Sequence, residues 1–295
     1  MRASGHLPPG RAPVDRPIRA AGCAPATGKS ELDLNNVRAL IETGGSMWQI
    51  RASDKPAYEV PKTSDRSGAH AIFAGSLWMG GRAPDNQLKL AAVTYRAQGN
   101  DFWPGPLSTD GSAAVDQDVC SAYDDLWKTH RQDVQRHEAY ERCKRDPLCN
   151  EAVEFPNYTV PQVFFEWPAL GDLSRGQSQF LAPFIDYDED DVYDPTMGDA
   201  PGYNLTTDGE CQNRNRNAIV PLYGDENIWW IFNDKGNTHT ETDADAIGME
   251  IRAQAFAFAT NDEVNNMTFY NYLVINQGTQ TLTNAFFGQW VDADV

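Results

Sequence analysis

Residues 186–199 read DYDEDDVYDPTMGD, and from Asp186 to Glu210 there are nine acids and no Lys or Arg. Asp186, Asp188 and Asp190 stand at positions one, three and five of a calcium-type loop, in which alternate side chains turn inward to one hard cation. Val192, at position seven, would offer its backbone carbonyl, and Asp194 follows at position nine. Position six is Asp191 rather than Gly and position twelve is Met197 rather than Glu, which excludes an intact EF-hand. The expectation is a shorter DxDxD calcium loop closed by Asp194 or Asp199, with Pro195 and Gly198 shaping its turn. Carboxylates packed this densely repel one another, and a bound cation removes that cost. Asp292 and Asp294 repeat the DxD spacing, but two acids alone read as a solvated end.

Other chemistry finds less support. Glycoside hydrolysis needs two carboxylates about 5–10 Å apart across a sugar. Glu154, Glu166, Asp225, Glu226, Asp234, Glu241 and Glu250 lie near aromatics or strand ends, and Trp167, Trp229 and Trp230 are candidate stacking faces. No spacing singles out a pair, and Trp229 and Trp230 point to opposite faces of a strand. His239 and Glu241 would share a face of a strand and make half a metal site, but HExxH is absent. GxSxG, GxGxxG and the phosphate-binding Gly loop are absent too.

The elements that must position these residues belong to a large, acidic, aromatic-rich body. The chain has 295 residues, 24 Lys+Arg against 42 Asp+Glu and a net charge of -18, so a phosphate backbone is a poor partner. Its longest apolar runs, such as Ile228 to Phe232, fall far short of the roughly 20 residues of a spanning helix, so no membrane span is expected. Met1–Ser30 carries five basic residues, one acid and five prolines without an apolar stretch, and reads as a disordered leader. Ala21-Gly22-Cys23 resembles the end of a lipoprotein cleavage site but lacks the apolar run upstream. The body is then 31–295.

Within it, 71–80, 87–95, 158–167, 228–233, 248–260, 267–276 and 282–292 read as strands. The last three, joined by short polar segments, suggest an antiparallel meander. Apolar bulk on both faces of Phe269–Ile275 suggests a central strand of a covered sheet. Asp118–Cys143 has no Pro or Gly, and Tyr123, Leu126, Trp127 and Val134 form a helical stripe, so one amphipathic helix is expected at about 118–145. The fold class is mainly β: an antiparallel β-sandwich or jelly-roll-like body with one inserted amphipathic helix. Five cysteines are an odd number; Cys143 and Cys149 are near enough in sequence to bridge around Pro147.

Several long runs resemble a family. LDLNNVRALIETGGSMW (32–48), YEVPK (58–62), IFAGSLWMGG (72–81), LAAVTYRAQGNDFWPGPL (90–107), IWWIFNDKGNTHTET (228–242), EIRAQAFAFATNDEVNNMTFYNY (250–272) and FFGQWVDADV (286–295) are similar to the N-terminal region of large secreted Bacteroidetes surface proteins of the type IX secretion class. Those proteins carry a C-terminal sorting domain, and their activity is not settled. The resemblance implies an extracellular or cell-surface location, a chain that is part of a longer protein, and millimolar calcium around the acidic loop. In that setting Cys120, Cys143, Cys149 and Cys211 would form disulfides, in any of three pairings. The implied function is a non-enzymatic module for adhesion, scaffold or presentation, with glycans or other surface proteins as partners. The alternative is a carbohydrate-active protein, either a glycan-binding module or a glycoside hydrolase.

Overall fold

A computed structural model of the chain describes residues 22–94, 99–203 and 220–293. The run ENIWWIFN has apolar bulk at consecutive positions, so a strand there must be covered on both faces. It is: every residue of the strand Glu226–Asn233 is buried. Ile228, Trp230 and Phe232 face one apolar cluster, while Trp229 and Ile231 face another. These two clusters define the layers of the molecule.

The first cluster lies between two antiparallel sheets. A five-stranded sheet runs Trp127–His130, Glu226–Asn233, Met249–Ala257 and Phe269–Asn276, with Trp103–Pro104 also paired to Glu226–Asn233. A seven-stranded sheet runs Lys29–Leu32, Arg38–Glu42, Ser46–Met47, His70–Arg82 and Thr283–Ala293, with Tyr58–Glu59 and Leu88–Ala91 joined to its members. Leu32, Ile41, Met47, Leu77 and Met79 from the larger sheet meet Ile228, Trp230, Phe232, Ile251 and Ala253 from the smaller. Each large side chain buried here contributes about 1.5–3 kcal/mol. The mainly β, antiparallel sandwich expected from the sequence is the observed architecture.

The second cluster covers the outer face of the five-stranded sheet with irregular chain. Val134 of the helix Arg131–Arg145 packs there with Phe164, Trp167, Leu181, Phe184 and Tyr203 against Trp127, Trp229 and Ile231. Among the described residues no helix is long and apolar enough to cross a membrane.

Several expected elements differ. The single helix at 118–145 is two helices, Gln117–Ala122 and Arg131–Arg145, separated by the strand Trp127–His130. Leu126 enters the first cluster and Trp127 the second, so the stripe there follows the two-residue period of a strand. The expected strand 158–167 instead holds the short helix Gln162–Phe165, with Pro161 at its N-cap, where the missing N–H costs nothing. The last three strands do not form one meander, because Thr283–Ala293 crosses to pair with His70–Arg82 in the other sheet. Phe269–Asn276 is an edge strand rather than a central one. Its two apolar faces have separate causes: Tyr270, Tyr272 and Val274 pack on the sandwich core, while Phe269 stacks on Phe256 with ring centroids 5.4 Å apart.

Residues 23–30, expected in the leader, are tied to the folded body. Thr27 and Gly28 donate backbone N–H groups to the Asp124 carboxylate, and Cys23 forms a disulfide with Cys120 across 97 positions. A second disulfide joins Cys143 to Cys149. Cys120 thus has a partner outside the four cysteines the resemblance implied, and Cys211 lies outside the described residues.

Candidate metal centre

The acidic loop is held by a small hairpin. Phe184–Ile185 pairs antiparallel with Ala200–Pro201, with Ile185 opposite Ala200. Asp186 follows the first strand and Asp199 precedes the second, so pairing alone brings the two ends of the loop together. Tyr193 anchors the middle, donating from its hydroxyl to the Phe164 carbonyl at 2.9 Å and packing edge-on against Phe184.

Asp199 is buried, and each carboxylate oxygen accepts one backbone N–H, from Tyr187 and from Asp194, both at 2.8 Å. Burial raises its pKa to about 6; the two amides oppose the rise, and the carboxylates of Asp186 and Asp188 add to it. Asp186 accepts from the N–H groups of Asp190 and Asp191 at 3.2 and 3.0 Å. Gly198 has φ +115°, a backbone conformation that favours glycine, and it brings the chain past Arg145 and Tyr187. Arg145 lies over the Tyr187 ring, 3.9 Å from its centroid, and donates to the Met197 carbonyl. It braces the loop from behind. Among the described residues no Lys or Arg forms an ion pair with Asp186, Asp188 or Asp199.

Asp186, Asp188 and Asp199 each present one carboxylate oxygen, and these oxygens lie within 4.8 Å of one another. Calcium–oxygen bonds of about 2.3–2.6 Å let two ligands of one ion stand up to about 5 Å apart, so the three fit a shared calcium. The regular alternation expected along the loop is not followed beyond Asp188. Glu189 and Asp191 have φ of 62° and 60°, and this coiling turns the Asp190 carboxylate back onto the Val192 N–H at 2.7 Å. Asp194 is likewise engaged locally, accepting from the N–H and hydroxyl of Thr196 at 2.8 and 2.7 Å. Neither Asp190 nor Asp194 joins the cluster, and the Val192 side chain is exposed. Asp292 lies in the last strand, and Asp294 falls outside the described residues.

The other candidates are tie points of the sandwich. Glu226 is buried, accepts the N–H groups of Asp33 and Leu34 at 2.9 Å and pairs with Lys128 at 2.7 Å. Glu250 accepts from Leu107 N–H and pairs with Arg252. His239 is in a loop rather than a strand, with its ring nitrogens facing the carbonyls of Leu90 and Asp234 at 2.8 and 2.6 Å. Glu241 accepts from the Thr94 hydroxyl and the Gly99 N–H. Trp167, Trp229 and Trp230 are all buried and offer no face to a sugar.

Sequence reasoning missed the anchoring role of Asp124, which accepts from Thr27, Gly28 and the Thr43 hydroxyl. No spacing signals it, since its partners are 81 to 97 positions away. The chain matches no protein-family model, no curated protein and no solved structure.

Proposed function

We propose that the chain is a non-enzymatic extracellular or cell-surface module, for adhesion, scaffold or presentation, whose acidic loop is stabilised by calcium. The observation that carries this reading is the convergence of Asp186, Asp188 and Asp199 around a buried carboxylate. An all-oxygen set without imidazole or thiolate suits a hard cation, and the irregular geometry of the loop suits calcium better than the tighter octahedron of magnesium. Backbone carbonyls and water would complete its coordination. The outside setting is supported by the two disulfides, which persist in oxidising compartments; kinship to secreted Bacteroidetes surface proteins of the type IX secretion class is part of the same proposal. The partners proposed are glycans or other surface proteins.

Calcium titration by calorimetry tests the metal half of this function. One ion per chain is expected at neutral pH, weaker binding of magnesium, and loss of the site in Asp188→Ala, at an exposed side chain. Wild-type protein giving no calcium heat would refute the site. Catalytic turnover of an oligosaccharide by the purified chain would refute the non-enzymatic half.

A further inference from the structure

The strand Thr283–Ala293 takes its hydrogen bonds from His70–Arg82 on one side, and among the described residues no strand lies along its other edge. Nine of its 11 residues are exposed. The register sets Phe287 opposite Met79 and Gln289 opposite Leu77, both core residues, so Phe287 and Val291 belong to the inner face of the sheet. They are nevertheless 52% and 43% exposed. On the outer face Phe286 is 74% exposed, beside Trp78 and Trp290 stacked with centroids 5.6 Å apart. A long apolar edge of this kind is a template for another strand, and proteins blunt such edges with charge or proline. Here proline is absent and charge is confined to Asp292 near the strand's end: Val264–Val291 is 28 residues without Asp, Glu, Lys, Arg or Pro, in a chain that is 22% charged.

We propose that this edge pairs with the same edge of a second copy, antiparallel and centred on Gly288. Charge selects the occupant and the register. A body of net charge -18 repels its own copy except where the contact is neutral, and this edge is the neutral stretch. Centring on Gly288 sets Phe286 against the second copy's Trp290 and Phe287 against its Gln289 within the regular part of the strand, Phe286–Asp292; the bulge between Thr283 and Phe286, with Asn284 at φ +50°, ends the ladder and leaves Asp292 outside it. A shift of the centre by one residue, to Gln289, would put Phe286 against an aspartate. The axis position would be held by a residue without a side chain, and a Cβ built at Gly288 meets nothing within 4 Å. The regular part, Phe286–Asp292, spans about 23 Å, which makes the contact a small one and the dimer concentration-dependent.

Sedimentation velocity on the full chain from about 1 to about 200 µM, a range bracketing a micromolar dissociation constant, tests the pairing. Wild type is expected to pass from monomer to dimer. Phe286→Lys should weaken association at least tenfold, while Leu148→Lys, at a position 93% exposed elsewhere, should leave it unchanged. Under mild oxidation, with wild type as baseline, Gly288→Cys should cross-link two chains and Asn284→Cys should not. A chain monomeric throughout, equal behaviour of the two Lys variants, or equal cross-linking at 284 and 288 would overturn the proposal.

Discussion

Asp234 and Asp199 are both buried carboxylates at turns, and they differ in what surrounds them. Asp234 accepts three backbone N–H groups, from Ile247, Gly248 and Met249, at 2.6, 2.9 and 2.7 Å. Burial raises its pKa, while those amides and the neighbouring His239 act the other way. Its environment is supplied by the chain itself. Asp199 accepts two such groups and then meets two further carboxylates, which add to the rise that burial causes. Burial alone therefore does not separate the two acids; the negative charge left unanswered around Asp199 does, and on it the calcium proposal rests. The sandwich body should stand without calcium, and the acidic loop should not.

The largest expected effects fall on the body and should be indifferent to calcium. Replacing Cys23 and Cys120 together by Ser opens a loop of 97 positions, against six for Cys143 and Cys149. Chain entropy puts these losses at about 4.7 and about 2 kcal/mol, readable from urea unfolding. Equal losses would show that the long bridge closes nothing the fold had not already closed. Asp234→Ala removes the acceptor of three buried amides and should cost at least about 3 kcal/mol, with the same loss in calcium and in chelator. A calcium-dependent loss there would erase the contrast between the two acids.

Proton competition probes the loop. Without metal, burial holds the folded pKa of Asp199 above the ordinary aspartate value of about 3.8, at about 6. Its contribution to stability is then fully present below about 3.8 and is lost as pH rises through about 6. Calcium needs the ionised form, so affinity should be flat above pH 7 and fall up to about tenfold between pH 6 and 5. A titration with the same calcium affinity at pH 7.5 and 5 would exclude Asp199 as a ligand. The smallest effect is expected at Asp190, whose carboxylate caps the Val192 N–H. Asp190→Ala should change stability by less than about 1 kcal/mol and leave calcium binding intact, whereas Asp188→Ala should abolish binding.

How much of this was legible in the sequence follows from the range of the forces involved. The strand through Trp229 and Trp230 was legible because two-sided apolarity demands cover wherever the partners come from. The convergence of Asp186, Asp188 and Asp199 was legible because the three acids lie close in sequence. The loop's alternation beyond Asp188 was not, because positive φ falls on Glu189, a residue type that rarely adopts it, and on Asp191, one of several aspartates that could have. The break at Trp127 was illegible for a related reason: Tyr123, Leu126 and Trp127 fit a helical stripe until the neighbouring strand Glu226–Asn233 captures Trp127–His130. Long-range choices such as Cys23 with Cys120, or the last strand with His70–Arg82, depend on three-dimensional competition that no local spacing encodes.

The central claim, that three converging carboxylates hold a structural calcium, is met most directly by a thermal melt in excess calcium and in excess EDTA. At 100 times the dissociation constant calcium adds about 2.7 kcal/mol. For a chain of this size that is an upward shift of about 4 °C, and it should vanish in Asp188→Ala. Identical melting temperatures for the wild type in calcium and in EDTA would contradict it.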